Sequence, residues 1–339
     1  DILGAGVVAQ ALQRVAQIGE RRALQLVGQA ELFVGLHEVD VVARRAREAG
    51  VPTHAKTVDE VLRIRAAEHP NERAYLYLED GETEGPSYTY QELDRRARAI
   101  AAHLLEQCKA GDRALLIFPP GLDYMAAFFG CLYAGVVAVP VYPPDPGRLN
   151  RSLPRLKVIA NDADTHIALT TTYVLPLCEM FSAQDADFEK FTWTAVDTIP
   201  DEKAANWSEA VSTSDSIAFL QYTSGSTADP KGVMVTHGNL LYNLWDLSYL
   251  WHSDQPKGSL VTWLPAYHDM GLIFGLLYPV YMRWPCYVMS PLDFLQHPLR
   301  WLQAISKYRA TFSCAPNFAF DLCTRKVTAE QKASLDLSC

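Results

Sequence analysis

From Thr57 to Ala315, short apolar runs alternate with segments of helical spacing, and this alternation restricts the fold more than any other feature of the chain. A strand joined to a parallel neighbour needs a crossover, usually a helix, so the pattern predicts an α/β fold of mostly parallel sheets with helices on their faces. Thr57, with Glu60 three residues on, reads as a capping box that opens a helix. Arg73 to Leu78 reads as a strand and Asp80-Gly81 as a turn. Thr89 and Glu92 form a second capping box, for a helix to about Gln107. Ala114 to Phe118 is an apolar strand ended by Pro119-Pro120, followed by a helix from Tyr124 and a strand from Val136 to Val141.

Residues 142–147 hold four prolines or glycines and mark a sub-domain seam near 142–150. A helix from Arg151 to Ala160 and a strand from His166 to Thr170 follow, and Asp197 to Ser214 is polar and reads as a linker. Beyond it the expected elements are strands at 217–222, 233–236, 260–264, 287–289 and 311–315. Helices are expected at 239–250, 270–282 and 294–308. At 339 residues the chain is long enough for two or three sub-domains and a large core.

Between the strands at 217–222 and 233–236 lies the string YTSGSTADPKG, Tyr222 to Gly232. Thr223, Ser224, Gly225, Ser226 and Thr227 are five consecutive small residues offering hydroxyls and close backbone N–H groups, and Lys231 adds a cation beside Gly232. Such a turn can wrap phosphate oxygens: backbone donors form a nest, hydroxyls hydrogen-bond and the lysine supplies a point charge. It is not the helix-opening GxxxxGK[ST] loop, because the lysine precedes the last glycine and no Ser or Thr follows it. About forty residues downstream, Trp263 to Gly271 reads WLPAYHDMG. These residues also read as a helix N-terminus, with Asp269 in the first turn favoured by the helix dipole.

The first string resembles the phosphate-binding signature of the adenylate-forming superfamily, which includes acyl-CoA synthetases, peptide-synthetase adenylation domains and fatty acyl-AMP ligases. Ala228 stands where most members have Gly. The second string is similar to the superfamily's next motif, and His268 matches its aromatic or histidine position, which lines the acyl pocket and moves as substrate binds. The resemblance is closest to fatty acyl-AMP ligases. It is carried by FFGCLYAGVVAVPVYPP (Phe128 to Pro144), LQYTSGSTADPKGVMVTHGNL (Leu220 to Leu240) and CAPNFAFDLC (Cys314 to Cys323), and it covers about 280 residues from Thr57 on.

The resemblance implies stacked αβαβα layers, the large N-terminal domain of that fold over residues 51–339, with the active site beyond the strand ends. It implies ATP and Mg²⁺ as cofactors, a fatty acid as substrate, and an acyl carrier protein or polyketide synthase module as acceptor. Thr223 to Thr227, Lys231 and Gly232 would hold the phosphates and His268 would act at the carboxylate. Asp269, Met270, Gly271, Asn317 and Phe318 would border the acyl chain. The adenine contacts, magnesium ligand, ribose-binding aspartate and mobile domain with its catalytic lysine would all lie beyond Cys339. Residues 1–339 alone are therefore expected to be inactive. Two other readings stay open: the same chemistry with CoA as the acceptor or an amino acid as the acid activated, and a non-catalytic nucleotide-binding fragment.

Other signals bound the function. A net charge of −9 argues against a nucleic-acid partner. Seven cysteines are scattered without CxxC, as in a reduced, cytoplasmic protein, and the histidines form no HExxH or Cys/His cluster, so no metal site is expected. Ala126 to Tyr142 is uncharged for 17 residues, but a spanning helix needs about 20, and Gly130, Gly135 and Pro140 divide this stretch into a buried helix and a buried strand. No transmembrane segment or secretory signal is expected. Residues 1–50 stand apart, with amphipathic helices expected at 7–17 and 40–48, and carry no assigned function.

Overall fold

A computed structural model describes residues 52, 54–143, 147, 149–223, 230–250 and 258–338. The helices expected within 1–50 lie outside the described residues. Among the described residues, ten strands form two sheets. The first runs β2 (Thr83–Thr89), β1 (Arg73–Glu79), β10 (Cys286–Met289), β9 (Leu260–Thr262). The second runs β6 (Thr192–Ala195), β5 (Ile167–Thr170), β3 (Arg113–Leu116), β4 (Val137–Pro140), β7 (Ile217–Thr223), β8 (Lys231–Thr236). All pairings are parallel except β1–β2 and β7–β8, which are hairpins. β3, β4 and β5 are buried at nearly every position, as strands covered on both faces must be.

Alternation along the strands sorts their side chains into three layers of core. In the middle layer, Tyr75 and Cys286 of the first sheet and Ala114, Leu116, Ala138 and Phe219 of the second close on shared helices. These are α1 (Val58–Glu68), α2 (Tyr90–Leu105) and α3 (Asp123–Tyr133), with α6 and α7 defined below. Leu115, Val139 and Ala168 face outward onto α4 (Leu149–Asp162) and α5 (Leu175–Gln184). α6 (His237–Leu250) follows β8, and a buried π-helix, Met270–Leu277, leads into α7 (Tyr278–Met282). Leu76, Leu78 and Val261 face the other way, onto α8 (Pro291–Gln296), α9 (Leu299–Tyr308) and α10 (Asn317–Lys326). The result is the expected αβαβα stack. β3 and β4 precede residues 142–150 and β5 follows them, all in one sheet, so this stretch is a crossover within the second sheet.

Local chemistry explains most boundaries. The Thr89 hydroxyl accepts from the Glu92 amide while the Glu92 carboxylate returns to Thr89 N–H at 2.8 Å, completing the box. At Thr57 the box is offset, because Glu60 reaches the Lys56 amide at 2.7 Å. Asp80 and Gly81 both have positive φ, as a tight hairpin turn requires. The expected helix 294–308 divides into α8 and α9 at Pro298, whose ring removes a helical donor.

The expected linker at 197–214 is instead a packed strap over its first half. Buried Arg96 of α2 donates to the carbonyls of Val196 and Ile199 and pairs with Asp201 at 3.0 Å. Trp207 donates to the Tyr133 carbonyl at 3.0 Å and lies under the Arg98 guanidinium. Polar composition misled here because those polar groups satisfy buried backbone and ion partners.

Two outcomes test this packing. A Cβ on Gly271 would lie 2.0 Å from the Pro265 carbonyl oxygen, where no side chain fits. Gly271→Ala should lower unfolding stability in urea by about 1–3 kcal/mol, and an unchanged midpoint would contradict the close approach. The second outcome concerns His237, which is buried and accepts from Val58 N–H through Nδ1 at 3.1 Å, 3.9 Å from Asp59. Burial pushes the imidazole from its ordinary 6.5 down to about 4, while burial raises Asp59. Between those two values only the unfolded chain binds the proton, so stability falls as pH drops from about 6.5 toward 4. His237→Asn, which can still accept from Val58, should flatten that fall by on the order of 3 kcal/mol. Parallel pH–stability curves for the two proteins would rule out this origin.

Candidate active site

The strands of the second sheet that run parallel all end on the same side, and the two sequence motifs meet there. β7 and β8 pair so that Thr223 faces Lys231 and Tyr222 faces Gly232 across the hairpin. Thr223 and Gly232 are half-buried and Lys231 is exposed. Ser224, Gly225, Ser226 and Thr227, with Ala228, lie outside the described residues. Gly232 is required by its neighbour: a Cβ would sit 2.9 Å from the Tyr222 ring. That ring crosses the glycine and its hydroxyl donates to Asp162 Oδ2 at 2.6 Å, tying the hairpin to the C-terminus of α4. Burial, then this bond to a carboxylate, raises the Tyr222 phenol.

One residue earlier, Gln221 faces the opposite side of the sheet. Its amide Nε2 donates to the Tyr267 carbonyl at 3.1 Å. Residues 264–268 form the turn between β9 and the π-helix, and this turn is held at several points. Tyr124 of α3 donates to the Ala266 carbonyl at 3.0 Å, and the Tyr267 ring meets Tyr142 edge-on at 5.0 Å. His268 follows, exposed, its N–H donating to the Pro265 carbonyl at 3.1 Å and its ring 5.2 Å from that of Tyr267. Asp269 caps the π-helix by accepting from Met270 N–H at 2.7 Å, so the helix-terminus reading of these residues also holds.

A cavity of about 200 Å³ opens beside this turn, between the C-terminal ends of the two sheets. Phe118, Val141 and Tyr142 line it from the second sheet, Val288 and Met289 from the first, and Leu264 from the turn. Ligands of open α/β sheets bind beyond the carboxyl ends of strands, which is where this cavity lies. A larger cavity of about 650 Å³ opens at the opposite, N-terminal ends, beside Arg113, Val137 and Ile217. None of residues 264–268 lines it, and of the expected site residues only Gly232 does.

The structure therefore ties the end of β7, where Thr223 faces Lys231, to the turn bearing His268. It does not bring the whole expected acyl wall there. Gly271 is buried against the Pro265 carbonyl and Met270 is half-buried against the outer core of the first sheet. Asn317 and Phe318 are exposed at the start of α10; Phe318 sets its edge on Trp263, and neither lines the cavity. Gln221, Tyr222, Tyr124 and Tyr142 were not singled out from sequence. Only Gln221 carried a visible signal, as the one amide in the apolar run IAFLQY. Among the described residues no three His, Cys, Asp or Glu side chains gather as a metal site, and no helix is long and apolar enough to cross a membrane.

Comparison with known proteins agrees with this geometry. The profile of the AMP-binding enzyme family matches residues 62–338. The chain is 47% identical over 283 residues to the medium-chain fatty acid–acyl-carrier-protein ligase JamA of Moorena producens, covering 83% of this chain and 48% of that protein. It is 34% identical over 293 residues to the long-chain fatty acid–AMP ligase FadD26 of Mycobacterium tuberculosis, covering 85% and 50%. A crystal structure of a fatty acyl-adenylate ligase from L. pneumophila, in complex with acyl adenylate and pyrophosphate, superposes with a TM-score of 0.76 at 42% identity. That match covers 84% of this chain and 48% of that one. The chain thus spans about half the length of the relatives it matches. With the five-layer fold, the Tyr222–Gly232 string at the end of β7 and the profile match over most of its length, the chain belongs to the AMP-binding enzyme family.

Proposed function

We propose that this chain carries the triphosphate-binding turn and part of the acyl site of an enzyme that activates a fatty acid with ATP. The carboxylate attacks the α-phosphorus, giving acyl-adenylate and pyrophosphate, and the acyl group then passes to the phosphopantetheine thiol of a carrier protein, free or within a polyketide synthase module. The observation that carries this reading is the Gln221–Tyr267 hydrogen bond, which joins the hairpin of the phosphate turn to the turn bearing His268.

Each part has a definite task. Phosphoryl-group chemistry is largely positioning and charge stabilisation. Backbone donors and hydroxyls of residues 223–227 would cradle the β- and γ-phosphates, and Lys231, exposed at the head of β8, would neutralise the leaving pyrophosphate. Mg²⁺ would arrive on the phosphate oxygens of ATP; the described residues assemble no carboxylate group to hold it. His268 would stand at the mouth of the acyl site. Among the described residues no acidic side chain lines the adjacent apolar cavity, which favours an alkyl chain over the α-amino group of an amino acid. We place the protein in the cytoplasm, because Cys108, Cys131, Cys178, Cys286, Cys314 and Cys323 are all free thiols.

Pyrophosphate exchange by the full-length protein across a panel of acids tests the reading. Medium- or long-chain fatty acids should support exchange; strong exchange with an amino acid and none with fatty acids would reverse it. Lys231→Ala should weaken ATP use by about 1.5–3 kcal/mol, the range for a hydrogen bond to a charged group. An unchanged kcat/KM for ATP would remove Lys231 from the site.

A further inference from the structure

Gln221 occupies a position where packing alone would select a hydrocarbon. β7 is covered on both faces, and Phe219, two residues earlier on the same face, is fully buried in the middle core. Gln221 itself is only 7% exposed. One half of its amide donates to the Tyr267 carbonyl. The other half, Oε1, is buried without a hydrogen-bond partner among the described residues. A buried acceptor left unpaired destabilises a fold, so a glutamine here works against stability unless its donor does something a leucine would not.

What the donor does is hold one peptide unit. The Tyr267 carbonyl and the His268 N–H belong to the same peptide group. The carbonyl is held by Gln221 at 3.1 Å and the N–H by the Pro265 carbonyl at 3.1 Å. Both ends of the plane that sets the direction of His268 are thereby fixed. One anchor is local to the turn, and the other comes from the strand whose next residues enter the phosphate turn. Tyr124 and the Tyr142 ring hold the preceding residues, but their bonds come from α3 and from the end of β4, not from the hairpin.

We infer that Gln221 is a positioning residue: through the Tyr267–His268 peptide it fixes the distance and orientation of His268 relative to the phosphate-binding turn at the end of β7. It touches neither substrate itself. Its part is to keep the site for the leaving pyrophosphate and the site for the attacking carboxylate in one register. This inference rests on the proposed acid activation and adds to it a residue that links the two half-sites.

The test uses Gln221→Leu, which keeps the bulk and removes the donor, in the full-length protein assayed by pyrophosphate exchange with a fatty acid. Loss of alignment should lower kcat by about tenfold or more. KM for ATP should stay within about twofold, because the turn itself is intact. The melting temperature should fall only slightly, because the unpaired oxygen disappears with the bond and the Tyr267 carbonyl that loses its donor belongs to a half-buried residue. Gln221→Met, unbranched and of similar reach, should behave alike and serves if the leucine variant does not fold. An unchanged kcat overturns the inference. So does a parallel loss of kcat, both affinities and melting temperature, which would make Gln221 a packing residue only. If the unmodified protein shows no exchange with any fatty acid, the proposed function itself fails, a result distinct from either.

Discussion

Two sheets close on a single shared layer of helices, and the rest of the molecule follows from that constraint. α1, α2 and α3 have little free face, so their polar side chains must be satisfied inside the protein. Arg65 of α1 is fully buried and donates through Nε to the Val280 carbonyl at 3.2 Å and also to the Tyr281 carbonyl, at the C-terminal end of α7. Tyr75 of β1 donates to the Leu276 carbonyl of the π-helix at 2.6 Å. Arg96 does the same for the strap at 196–201. Each bond brings a side-chain donor to a carbonyl of a helix or an irregular segment; those of Val280 and Val196 also accept from the backbone N–H groups of Arg283 and Ile199. Removal of one of these donors would cost its buried hydrogen bond, at about 0.5–3 kcal/mol each.

The same layer sets the position of the candidate site. Because the helices are shared, the C-terminal ends of β9 and β10 in one sheet face those of β3, β4 and β7 in the other, with the apolar cavity between them. The hairpin that pairs Thr223 with Lys231 belongs to the second sheet. The His268 turn leaves the first sheet at β9 and enters the middle layer as the π-helix. Gly271 lets that helix start directly beneath the turn, and Gln221 bonds the turn back to β7. Chemistry that needs atoms from both sheets thus depends on a few hydrogen bonds across one gap.

Much of the architecture was legible in the sequence, for reasons that are local. Apolar runs such as ALL at Ala114 and VAV at Val137 announce strands buried on both faces, and the Thr89–Glu92 box marks a helix start without reference to anything distant. β2, with Gly85 and Pro86, reads as no strand at all; it exists because an edge partner tolerates a proline and β1 supplies the register. α5 and β6 escaped because a ten-residue helix and a four-residue edge strand carry too little periodicity. At the site, the phosphate-turn string and His268 could be read as motifs. The resemblance that sets Asn317 and Phe318 beside the acyl chain does not fix their exposure, which depends on which face of α10 meets Trp263. Gln221 and Tyr222 gain their meaning only from partners 46 and 60 residues away, which no local pattern encodes.

The most direct test of the account is a crystal structure of the full-length protein with an acyl adenylate and pyrophosphate. The account predicts pyrophosphate enclosed by residues 223–231, with Lys231 within hydrogen-bond reach of its oxygens. It also predicts that His268 lies beside the acyl carbonyl and that the Gln221–Tyr267 bond is intact. Pyrophosphate seated instead at the N-terminal ends of the strands, near Arg113, or an adenylate with no approach to His268, would contradict it.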